Sequence, residues 1–107
     1  MSTAFVGRLR TNRAPIHIAE PGAGTLTMRV EAADIWETIR VVARPDTAVS
    51  EVKKRVLAEL FPNDYLADFV LKLRGWEMLD ETQSLSAAGV ADGSIILLAY
   101  RRRRPVR

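Results

Sequence analysis

Between Thr25 and Glu31 apolar and polar residues alternate without a break, with Leu26, Met28 and Val30 on one side and Thr27, Arg29 and Glu31 on the other. That two-residue period predicts a half-buried strand. A turn is expected at Ala32-Ala33-Asp34, after which a second alternating run sets Ile39, Val41 and Ala43 inward against Thr38, Arg40 and Val42 outward. Pro45, which has no N–H to give a sheet ladder, ends it. Two strands so close in sequence predict a hairpin. Beyond them the period lengthens. Val49, Val52, Val56, Leu57 and Leu60 recur at helical spacing, with Ser50, Glu51, Lys53, Lys54 and Arg55 on the other side. An amphipathic helix is expected here, opened by a capping side chain from Asp46 or Thr47 and stopped near Phe61 by Pro62. After a loop at Asn63-Asp64-Tyr65, Phe69, Leu71 and Leu73 alternate with Lys72 and Arg74 as far as Gly75, which predicts a third strand. The run Ile95 to Tyr100 predicts a last strand that is apolar on both faces. It suits either a central strand whose outer face is partly covered or one with an exposed apolar face.

The order strand, strand, helix, strand, loop, strand describes an α+β domain in which a mixed sheet of four to five strands wraps over one helix, the last strand pairing in parallel with the first. Particular residues then carry a resemblance. Pro45-Asp46-Thr47-Ala48-Val49-Ser50-Glu51-Val52-Lys53 is similar to the entry into the helix of ubiquitin, and Leu71-Lys72-Leu73-Arg74-Gly75 with Leu79-Asp80-Glu81 resembles its third strand, glycine turn and following segment. Leu85-Ser86-Ala87-Ala88-Gly89-Val90-Ala91-Asp92-Gly93-Ser94 matches the Leu-Ser-x-x-x-hydrophobic-x-x-x-Ser pattern of that family without a gap. The chain thus resembles the ubiquitin-like β-grasp superfamily across residues 26 to 100. Each matching residue has a structural reason: Leu85 and Val90 to anchor a short turn, Gly89 for a backbone conformation costly to other residues, Asp92-Gly93 to turn the chain into the last strand.

Composition adds bounds on size and location. A chain of 107 residues with 48% hydrophobic content supports one core and no second domain. There is no apolar run of about 18 residues to span a membrane, and no signal-peptide pattern at the start, so a cytoplasmic protein is expected. Cysteine is absent, which removes disulfides, thiolate metal sites and a cysteine nucleophile. The net charge of +3 is unevenly spread. From Pro21 to Tyr100 there are eight Lys and Arg against twelve Asp and Glu, so the folded part carries −4. The positive excess lies in a basic leader, residues 1 to 24, with Arg8, Arg10 and Arg13, and in an arginine-rich tail, residues 101 to 107. The leader is expected to be flexible from its Pro and Gly content. Its Ile16-Ile18 pair suits either a short strand or docking on the domain.

Catalytic and metal chemistry find no support. His17 is the sole histidine and has no ligand set around it. Neither a phosphate-binding glycine loop nor a Ser/His/Asp set is present. No catalytic residue, cofactor or metal is therefore assigned.

Binding is the remaining class. The resemblance implies that conjugation would need a C-terminal Gly-Gly, whereas this sequence ends Arg101-Arg102-Arg103-Arg104-Pro105-Val106-Arg107, so conjugation is not expected unless the natural product extends further. The resemblance also sets Lys72 at the central isoleucine of ubiquitin's apolar patch, which argues against ordinary ubiquitin receptors. A different protein-binding surface is expected from Ile35, Trp36, Lys72, Arg74, Trp76, Leu97 and Ala99, two tryptophans beside cations being the composition of interface anchors. The alternative is that both tryptophans pack locally against the domain or beneath the leader. The tail residues Arg101, Arg102, Arg103, Arg104 and Arg107 suit a solvated tail, a contact to an anionic or membrane-associated partner, or nucleic acid, the last disfavoured by the acidic body and the lack of an aromatic RNA-binding motif. A small domain without Gly-Gly is similar to the bacterial YukD-like proteins of type VII secretion. That likeness implies a bacterial, non-conjugated adaptor or secretion accessory whose partner is a protein, a membrane-associated secretion component.

Overall fold

The computed structural model describes residues 13–100. The first alternating run forms the strand Leu26–Ala32 (β2), and the second forms Glu37–Ala43 (β3), paired antiparallel from Leu26 opposite Ala43 to Ala32 opposite Glu37. The turn between them is one turn of 3-10 helix, Ala33–Ile35. The helix (α1) covers Val49–Leu60. Phe69–Leu73 (β4), Trp76–Glu77 (β5) and Ile95–Tyr100 (β6) complete the sheet. A further short strand, Ile16–His17 (β1), pairs in parallel with Val41 and Val42 at the opposite edge.

The six described strands lie in the order β1-β3-β2-β6-β4-β5, with β6 parallel to β2 and antiparallel to β4. The mixed sheet over one helix is the expected β-grasp, with six strands where four to five were expected. Both additions are two-residue edge strands, too short for alternation to reveal. The sheet also takes in part of what the sequence reading gave to the leader. Ile16 is buried in the core, and the Ile18 and Ala19 amides both donate to the Val42 carbonyl. Arg13 reaches across the domain, its guanidinium 2.9 Å from Glu37 and 3.5 Å from Glu59 of α1.

Between sheet and helix, Met28, Val30, Ile39, Val41, Leu71, Ile96 and Leu98 meet Val49, Val52, Val56 and Leu57, all buried. Burying a side chain of this kind contributes roughly 1.5–3 kcal/mol, so this contact dominates the stability of the domain. Phe61, Phe69 and Tyr100 close one end of the core, with ring centroids 4.7 and 5.3 Å apart.

Two expectations about the helix need correction. Its N-cap is Ala48, with no side-chain cap from Asp46 or Thr47. The orphan amides go instead to loop carbonyls: Val49 donates to Gln83 at 2.9 Å and Ser50 to Glu81 at 2.8 Å. Lys53, assigned to the polar side, is buried at 5% exposure and pairs with Glu81 at 2.9 Å. The loop after β5 folds over this side of the helix and brings both the capping carbonyls and the carboxylate. The segment after it behaves as expected. Leu85 and Val90 are buried, the Val90 amide donates to Leu85, and Gly89 sits at φ +94°, a left-handed conformation that disfavours other residues.

Candidate interaction surface

Because side chains alternate across a strand, the face of the sheet turned away from α1 is built from the residues between the core positions. On the central strand β6 these are Ile95, Leu97 and Ala99. Leu97 stands beside Glu31 of β2 and directly opposite Lys72 of β4, Ala99 stands opposite Val70, and Lys72 is in turn opposite Glu77 of β5. A row Glu31, Leu97, Lys72, Glu77 therefore crosses the sheet, so an apolar position and a cation are flanked on both sides by carboxylates. Ile95 is half exposed, and Leu97, Ala99 and Lys72 are partly exposed. The outer face of β6 is thus most open at Ile95 and partly covered at Leu97 and Ala99, where Val70 beside Ala99 is buried.

Ile35 and Trp36 lie at the rim of this face. Their turn packs against the C-terminal end of β6, where the Tyr100 amide donates to the Asp34 carboxylate at 3.2 Å. Trp36 is 72% exposed and held at φ +57°, a left-handed conformation uncommon for a bulky residue. Backbone strain of this kind is retained where the surroundings impose it. Here the short turn to β3 does so.

The structure separates the other two candidates from this group. Trp76 stands directly opposite Leu73 and therefore on the helix side of the sheet, whereas Lys72 and Leu97 face away. With Leu73, Met78, Leu79 and Ala88 it lines a hollow of about 410 Å³ at the β5 edge. Arg74 forms the two-residue hairpin turn with Gly75, both at positive φ (+53° and +85°), the type I′ geometry that matches sheet twist. Sequence spacing alone did not reveal the reversal at Arg74-Gly75 that carries Trp76 to the other side. Ile95 was missed although it shares the parity of Leu97 and Ala99. The tail arginines Arg101, Arg102, Arg103, Arg104 and Arg107 lie outside the described residues, as do Arg8 and Arg10.

Among the described residues no group of three His, Cys, Asp or Glu gathers as a metal site, and His17 sits exposed on β1. Asp80 titrates below the ordinary carboxylate range because the Thr82 hydroxyl, 2.6 Å away, and then the Thr82 amide donate to it. That arrangement orders the loop over α1. No described helix is long and apolar enough to cross a membrane.

With this geometry in place, solved structures of similar shape can be compared. The ubiquitin-like domain of an Arabidopsis thaliana protein superposes with a TM-score of 0.63 at 16% identity, over 85% of this chain and 93% of that one. The ubiquitin of Caldiarchaeum subterraneum gives 0.62 at 22% identity, over 77% and 100%. The chain has the ubiquitin-like fold. A designed protein based on ubiquitin gives 0.63 at 17% identity, over 80% of this chain and 100% of that one. No family model and no curated protein matches the sequence. At these identities the likeness describes the backbone. In this chain β6 lies inside the sheet, between β2 and β4, and the fold by itself does not fix a function.

Proposed function

We propose that this chain is a non-catalytic protein-interaction module that docks a protein partner on the outer face of its sheet, centred on Leu97 and Lys72. The observation that carries the reading is the line Ile95, Leu97, Ala99, half exposed at Ile95 and partly exposed beyond it, along the central strand beside Lys72, with the exposed Ile35 and Trp36 in the turn at the end of that strand. Apolar side chains in the middle of a sheet, with charged neighbours around them, have the layout of an interface core and its polar rim. The chemistry suits a partner that offers an aliphatic or aromatic anchor to Leu97 and a carboxylate to Lys72. The reading calls on docking through side chains of the sheet. Its narrower form is a cytoplasmic bacterial adaptor or accessory of type VII secretion that acts beside a membrane component. That form rests on the likeness of a small domain without Gly-Gly to the YukD-like proteins, while the segments around the helix and Leu85–Ser94 resemble the ubiquitin-like superfamily as a whole.

The test is capture from extract of the native host, followed by titration of the purified captured protein against wild type, Lys72→Glu and a chain shortened after Tyr100. Lys72→Glu is expected to weaken binding at least tenfold, about 1.4 kcal/mol, while leaving the unfolding midpoint unchanged. Binding that survives Lys72→Glu but fades with salt and with loss of the arginine tail would refute the proposal.

A further inference from the structure

A second feature of the outer face lies toward its other end and adjoins the proposed docking surface at Ile95. Arg29 of β2 and Arg40 of β3 are direct cross-strand partners. Their Cβ atoms therefore stand about 5 Å apart on one face, an arrangement in which like charges destabilise a sheet. Three of the described cations have a counter-charge: Arg13 has Glu37 and Glu59, Arg44 has Asp46, and Lys53 has Glu81. Arg29 and Arg40 have no such ion pair among the described residues. The carboxylate nearest along the strand, Glu31, stands opposite Thr38 and forms no ion pair with either arginine.

The two arginines also form the shared wall of two hollows. One, of about 280 Å³, is lined by Arg13, Arg29, Thr38 and Arg40 among the described residues. The other, of about 160 Å³, is lined by Arg29, Arg40, Thr27, Met28, Gly93 and Ile95. A third guanidinium is fixed at the edge of the first by Glu37, while the half-exposed Ile95 gives the second an apolar wall. Two planar guanidinium groups side by side can each offer a pair of N–H donors to the same tetrahedral oxyanion, and the charge of a dianion offsets their mutual repulsion. A single carboxylate would neutralise only one of them.

The geometry points to a binding site for a phosphate monoester of a small molecule, its phosphate held between Arg29 and Arg40 and its organic group lying along Ile95. The Thr38 hydroxyl adds a neutral donor on the polar side. The occupant is defined by this pairing of a doubly charged head with a modest apolar body.

The experiment is residue-resolved NMR titration of the full chain with phenyl phosphate, inorganic phosphate and chloride at matched ionic strength, together with thermal melts. Phenyl phosphate is expected to shift the amides of Thr27 to Arg29, Thr38 to Arg40 and Ile95 saturably, and to bind more tightly than inorganic phosphate. Arg29→Gln or Arg40→Gln is expected to weaken binding about tenfold or more, the loss of a charge-assisted contact, and to melt no lower than wild type without ligand, since it relieves a repulsion. Arg44→Gln, which removes a paired arginine elsewhere, leaves binding unchanged. Shifts that chloride reproduces, or that fall only on the arginine tail, would overturn the site. So would a large loss of stability in both glutamine variants without ligand, which would make the arginines structural. Equal affinity for phenyl phosphate and inorganic phosphate would overturn the assignment of a monoester.

Discussion

The buried pair Lys53–Glu81 predicts an asymmetry between two substitutions that remove the same ion pair. The ammonium is almost fully enclosed, its side chain 6% exposed, whereas the Glu81 side chain keeps 28% of its surface and the separation is 2.9 Å. At an effective dielectric constant of about 20 the gross attraction is about 6 kcal/mol, most of which only offsets the cost of bringing Lys53 out of water. Glu81→Gln keeps the shape but leaves that ammonium enclosed without a counter-charge. Breaking a buried pair in this way costs about 3–5 kcal/mol. Because water reaches Glu81 and glutamine still offers an acceptor, the expected loss lies at or just below the lower end, about 2–3 kcal/mol. Lys53→Met fills the same channel with an apolar side chain and strands only a carboxylate that can rehydrate, so its expected cost is below about 1 kcal/mol. The assay is urea unfolding monitored by tryptophan fluorescence and circular dichroism, with thermal melts in parallel. For a domain of this size 2–3 kcal/mol lowers the melting midpoint by roughly 10–20 °C. The double variant should resemble Lys53→Met. If Lys53→Met proves as damaging as Glu81→Gln, the desolvation argument fails, and the pair acts by pinning the loop whose Glu81 and Gln83 carbonyls cap α1.

Two further outcomes follow from local geometry. Arg74→Gly should stabilise the β4–β5 hairpin by up to about 1 kcal/mol, since a residue at φ +53° carries a steric cost that glycine does not; a lower unfolding midpoint would show that the arginine stem packs on the sheet. Thr82→Val should raise the Asp80 pKa part of the way to its ordinary value, the Thr82 amide remaining in place, as read by NMR titration of the carboxylate. A carboxyl group whose pKa is lowered by folding adds stability above its unfolded pKa and loses it as pH falls through the folded one, so the acid-side decline in stability should become shallower in the variant.

The fold was legible because its core is written in period. Alternation at Leu26, Met28, Val30 and at Ile39, Val41, Ala43, together with the helical spacing of Val49, Val52 and Val56, identifies residues that the structure buries. The order of these elements leaves few mixed sheets to choose from. What escaped was short or contributed from far away in sequence. β5 is two residues long and has no period to read, and β1, equally short, could be offered only as one of two alternatives for Ile16-Ile18. The burial of Lys53 and the capping of α1 are imposed by residues 81 to 83, about thirty positions downstream in sequence, and no local pattern around the helix announces them.

The surface was less legible for a reason that bears on both proposals. A binding face is a statement about register. Lys72 and Leu97 lie 25 positions apart in sequence, Arg29 and Arg40 eleven, and only strand pairing makes each pair immediate neighbours. Parity along one strand says which residues share a face, which is why Leu97 and Ala99 could be chosen from the sequence and Ile95 could have been. It does not say what stands opposite, so the candidates from different elements could not be sorted, and Trp76 was grouped with residues from which the Arg74-Gly75 reversal separates it. The same reversal sets Glu77 against Lys72, so a cation that reads in sequence as an unpaired replacement for an apolar residue stands with a carboxylate on either side of its row. On the docking proposed above, recognition at this face turns on the partner displacing or complementing those carboxylates: an apolar anchor on Leu97 would supply the attraction, while Glu31 and Glu77 would set which anchors are accepted.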